Sequence, residues 1–76
     1  MTVLPPTFSL WATITQSAPR EFVVVASAVA DAQAPVVLAR VAESRQGAEE
    51  MVGDLLIELG NKVRAMGGTV VDVVGV

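Results

Sequence analysis

The chain is 76 residues long, carries a formal net charge of −3 and contains no cysteine, histidine or tyrosine. That length supports one domain, near the lower size at which a single core holds a fold unaided, and without cysteine neither a disulfide nor a thiolate zinc site can reinforce it. The missing side chains exclude Ser-His-Asp and Cys-His catalysis, and five scattered cations, Arg20, Arg40, Arg45, Lys62 and Arg64, argue against direct nucleic-acid binding, whose affinity comes from clustered Lys and Arg.

Residues 1 to 6 read as an extended arm, because Pro5-Pro6 forbids helix. From residue 7 to 15 the sequence TFSLWATIT alternates, with Phe8, Leu10, Ala12 and Ile14 on one face and Thr7, Ser9, Trp11, Thr13 and Thr15 on the other. This predicts a strand with the first face in the core. Trp11, the single tryptophan, then lies on the opposite face as a candidate interface anchor. Residues 16 to 20 contain Ser17 and Pro19 and read as a hairpin loop. A second strand runs from residue 21 to 30, with Phe22, Val24, Ala26 and Ala28 facing one way and Val23, Val25, Ser27 and Val29 the other. Neither side is polar, so this strand belongs in the middle of a sheet. After a DAQAP turn, a third strand covers residues 36 to 43. Its alternation places Val37, Ala39 and Val41 on one face and Val36, Leu38 and Arg40 on the other; the first set is expected to meet the helix.

The helix is predicted over residues 45 to 66, where Ala48, Met51, Val52, Leu55, Leu59, Val63 and Met66 recur at spacings of three and four. Ser44 is the expected N-cap, and Gly67-Gly68 stops the helix. Glu50, Asp54 and Glu58 form an acidic ridge at i, i+4 and i+8, read as a solvated face or as a docking edge for a basic partner. Gly53 and Gly60 share another face with Leu56 and Ile57 between them. Each glycine costs about 1 kcal/mol relative to alanine within a helix. A surface of that kind admits a second backbone, from the chain's own sheet or from another chain.

A fourth strand covers residues 69 to 74, with Val71 and Val73 on one side, Val70, Asp72 and Val74 on the other, and Gly75 as its end. The fold class is therefore α+β: one domain over residues 7 to 76, in the order β-β-β-α-β, a mostly antiparallel four-stranded sheet with one helix on one face. A right-handed crossover from the third strand to the fourth gives strand order 4-1-2-3.

One helix shelters one side of such a sheet. The far side is expected to present Trp11, Val23, Val25, Val29, Val36, Leu38, Val70 and Val74, with Arg40 and Asp72 able to pair there. Hydrophobic residues make up 53% of the chain and charged residues 17%, below the usual quarter. An apolar patch of this kind marks an interaction site, and two copies packed face to face would bury it. The expectation is a homo-oligomer with room for a heterologous protein partner. Residues 20 to 34 imitate a secretion signal but lie inside the chain and are interrupted by Glu21 and Asp31. A membrane span over residues 22 to 42 fails on Asp31, Gln33, Pro35 and Arg40. A soluble, cytoplasmic protein from a bacterium or phage is expected, without cofactor or metal.

The function this supports is a non-enzymatic accessory, adaptor or inhibitor that acts by contact. The alternative is a nucleic-acid-associated regulator. The order of strand, hairpin and helix is similar to that of small antitoxin domains of the HicB type, a likeness of topology that assigns no site residue.

Overall fold

The computed structural model describes residues 5–31 and 33–74; the arm at residues 1–4, the turn position Ala32 and the strand end at Gly75 lie outside the described residues. The alternating segments become β1 (Thr7–Ala18), β2 (Glu21–Val29) and β3 (Val36–Ala42), followed by α1 (Arg45–Ala65) and β4 (Thr69–Val74). The sheet order is β3-β2-β1-β4. β1 is antiparallel to β2, β2 is antiparallel to β3, and β4 returns parallel to β1. The chain thus crosses from one edge of the sheet to the other through α1.

Both ends of α1 are capped by the residues the sequence supplies. The Ser44 hydroxyl accepts a hydrogen bond from the Gly47 amide at 3.1 Å, satisfying a donor with no partner within the helix. At the other end Gly67 adopts φ 85°. Its amide donates to the Arg64 carbonyl at 3.0 Å and the Gly68 amide donates to the Val63 carbonyl at 2.9 Å, the two bonds of a Schellman stop. Thr69 then enters the sheet by donating to the Pro6 carbonyl at 2.9 Å. Lys62 and Arg64 lie in the last helical turn, where their charge suits the helix dipole. Met66 is the C-cap and is exposed rather than part of the buried stripe.

The core forms between α1 and one face of the sheet. Phe8, Leu10, Val24, Leu59 and Val63 are its largest fully buried side chains. Around them lie Ala12, Ala26, Ala28, Ala30, Ala42 and Ala48, all buried, so much of the contact between helix and sheet is made by methyl groups and backbone. No polar or charged side chain is buried among the described residues.

Two departures from the expected pattern re-aim side chains. The hairpin turn is tighter than a five-residue loop: β1 continues to Ala18, and the register shift between Gln16 and Ala18 leaves Ser17 as an extra residue. A bulge of this kind inserts one residue opposite none. The Ser17 hydroxyl caps it by donating to the Glu21 carboxylate at 2.6 Å. The second shift lies in β4, where Phe8 pairs with Val70 but Ser9 pairs with Asp72. Val71 is therefore the extra residue. Val70 and Val73, three apart, both reach the hollow beside α1, whereas strict alternation would separate them.

β3 has the opposite phase to the one expected. Val24 pairs with Arg40, Ala26 with Leu38 and Ala28 with Val36, so Val36, Leu38 and Arg40 share the helix side with the buried residues of β2. Val36 and Leu38 pack against the core, while Val37 and Val41 are exposed. The physical reason is that VVLARVA is apolar on both faces, and its one polar residue, Arg40, can lay its stem along the helix edge with the charge in water. Leu38→Glu is accordingly expected to destabilise the fold by about 2 kcal/mol by setting a charge against apolar packing. Val37→Glu should stay within about 0.5 kcal/mol. Urea unfolding of the dilute protein checks the pair, and equal effects would contradict this phase.

Candidate interaction surface

The far face of the sheet can be read row by row from the strand registers. Thr15, Val23 and Val41 form one row, and Thr13, Val25 and Ala39 the next. Trp11 lies between Ser27 and Val74, with Val37 beyond Ser27; Ser9 lies between Val29 and Asp72. Asp72 is the one charged side chain in these four rows. Trp11 is 40% exposed, Val41 58% and Val74 54%, while Val23 and Val25 in the central strand are half-buried by their neighbours. A shallow hollow lined by Ser9, Trp11, Val29 and Val71, with Asp31 at its rim, opens at one end of the face.

The surface expected from the sequence is therefore partly redistributed. Trp11, Val23, Val25, Val29, Asp72 and Val74 lie together on the uncovered face. Val36, Leu38 and Val70 do not; they pack against the core on the helix side. Their places are taken by Val37, Ala39, Val41 and Val71, which strict alternation had turned toward the helix. For β3 the available signal was Ala42, a small residue two before the helix cap that lies buried opposite Phe22. Counting back from it by twos gives the observed face.

Arg40 and Asp72 cannot pair within one copy, because they lie on opposite edges and opposite faces. Arg40 instead meets Glu58 on α1 at 3.2 Å. Both side chains are about half exposed, so this pair contributes less than about 1 kcal/mol, and it removes Glu58 from the acidic ridge as a free docking group. Glu50 and Asp54 remain exposed on the outer helix surface. No group of three or more acidic side chains among the described residues is arranged to hold a metal ion.

The glycine flank of α1 turns toward β4. Gly60, Leu56, Ile57 and Arg64 line an apolar hollow of about 220 Å³ with Leu10, Val70 and Val73. Gly53, one step outward, has open space around it. Ile57 is 66% exposed. No described helix is long and apolar enough to cross a membrane. Comparison with family models, with curated proteins and with solved structures gives no match to this chain.

Proposed function

We propose that this protein is a non-enzymatic interaction module, acting in the cytoplasm, whose uncovered sheet face docks onto a second copy of itself and is available to a heterologous apolar partner. The observation that carries the reading is the four-row face of Val, Ala, Thr, Ser and Trp with a single charge, Asp72. Strand spacings of about 4.8 Å and rises of about 3.3 Å per residue give this face roughly 400 Å² of projected area. Eight of the thirteen residues in these rows are apolar, which brings the apolar part close to the lower end of the largest apolar patches on typical monomers, which are often functional. Two such faces together cover about 800 Å² of projected area, below the roughly 1,000 Å² that a stable specific interface clears, as in weak and transient contacts. The result is a contact of modest affinity between two copies. A nucleic-acid-binding reading draws no support from this face, which has neither Lys nor Arg in its rows.

Sedimentation velocity tests the proposal. Val25→Glu places a charge at the centre of the face, and Trp11→Ala removes its largest contact. Each is expected to weaken self-association at least about tenfold, with the circular dichroism of the fold retained. A mass unchanged by both substitutions would remove the sheet face as the interface.

A further inference from the structure

The hollow between α1 and β4 carries a second pattern, independent of the sheet face. At about 100° of rotation per residue, Glu49, Gly53, Leu56, Ile57, Gly60 and Arg64 fall within an arc of about 100° on α1. Of these, Leu56, Ile57, Gly60 and Arg64 are seen lining the hollow. Their sequence positions are symmetric about the midpoint between Leu56 and Ile57. A two-fold axis through that midpoint, set between antiparallel helices, brings Gly53 level with Gly60 of the other copy, Leu56 level with Ile57, and Glu49 level with Arg64.

We infer that this flank is an isologous docking surface for α1 of a second copy. The charge arrangement selects that occupant. Arg64 is the only charged residue lining the hollow and makes no ion pair among the described residues; its guanidinium lies over the Gly60 notch, 3.3 Å from where a side chain would begin. Glu49 has only an exposed contact with Arg45 at 3.5 Å. Antiparallel docking gives each Arg64 the partner copy's Glu49, twice per interface, as the symmetry of a two-fold contact requires. The pairs lie about 11 Å from the axis along the helix, from the 1.5 Å rise, so at a shallow crossing of about 20° two long side chains span the gap. Nearer the axis, Gly53 leaves open space for the partner's backbone, Gly60 is uncovered as Arg64 turns outward to meet Glu49, and the exposed Ile57 side chains of both copies are buried at the centre.

The pattern predicts a result that a general apolar attraction does not. The unaltered protein, with both contacts, is expected to form species larger than a dimer at high micromolar concentration, and Val25→Glu, which disables the sheet face, is expected to reduce it to a dimer held by α1. Glu49→Arg alone and Arg64→Glu alone each set like charges opposite one another at both ends of the interface, weakening this dimer roughly tenfold. An equimolar mixture of the two variants restores both attractive pairs and is expected to sediment as a heterodimer. A monomeric Val25→Glu parent, single variants that associate as the parent does, or a mixture no tighter than its components would each overturn the inference. A sheet-face failure is distinguishable, because there Val25→Glu leaves the mass of the otherwise unaltered protein unchanged.

Discussion

Leu59→Ala is expected to lower the unfolding free energy by about 3 kcal/mol, within the range for truncating a buried leucine. Leu59 is fully buried in the C-terminal half of α1. The surrounding alanines on β1, β2 and β3 have no length with which to fill the space it would leave. For a domain of this size the whole stability is on the order of 4–11 kcal/mol, so the loss is a large share of it. Chemical unfolding monitored by Trp11 fluorescence measures the change. Ile57→Ala, on the exposed flank of the same helix, is the control and should cost well under 1 kcal/mol in the monomer. A Leu59→Ala cost no larger than that of the control would show that α1 is not seated as described.

Gly68→Ala should be comparably damaging, although the residue lies in a loop. A methyl group built there would stand 2.6 Å from Cε1 of Phe8 and 2.9 Å from Cγ1 of Val63. Both side chains are fully buried. The ring cannot move aside without opening the core where β1, β4 and the end of α1 meet, so overpacking of about 2–3 kcal/mol is expected. Gly67→Ala makes a useful contrast. Nothing crowds that position, and its cost is backbone strain at φ 85°, about 1–2 kcal/mol. A smaller loss at Gly68 than at Gly67 in thermal or urea unfolding would contradict the close approach. The two adjacent glycines therefore serve different purposes, one conformational and one steric.

The elements were legible because local signals agreed with one another. Alternation in TFSLWATIT, the capping serine before the helix and the paired glycines after it each gave a boundary that the fold keeps within a few residues. The strand order followed from a single crossover joining the ends of a three-stranded meander. Side-chain facing was less legible, for two separate reasons. In β3 both faces are apolar, so alternation fixes the spacing but not the phase, and only the register with β2 sets Leu38 against the core. In β4 the extra residue at Val71 breaks the alternation itself, and nothing in TVVDVV announces it. Of the surface residues, Trp11, Val23, Val25, Asp72 and Val74 could be placed from β1, β2 and the end of β4. Val36, Leu38, Arg40 and Val70 could not, because their positions depend on long-range pairing. The glycine flank could be seen as a face from the helical repeat, but its neighbour, β4, became known only with the topology.

The alanine layer beneath α1 has a consequence for motion. Ala26, Ala28 and Ala42, and Ala48 on the helix above them, have no rotamers to lose when buried and none to exchange among afterwards, so this part of the interior gives up no side-chain freedom on assembly. It also offers no alternative way to fit together. The adjustable groups between helix and sheet are therefore confined to the larger side chains, Phe8, Leu10, Leu55 and Leu59 among them, and any relaxation of the interior must pass through those.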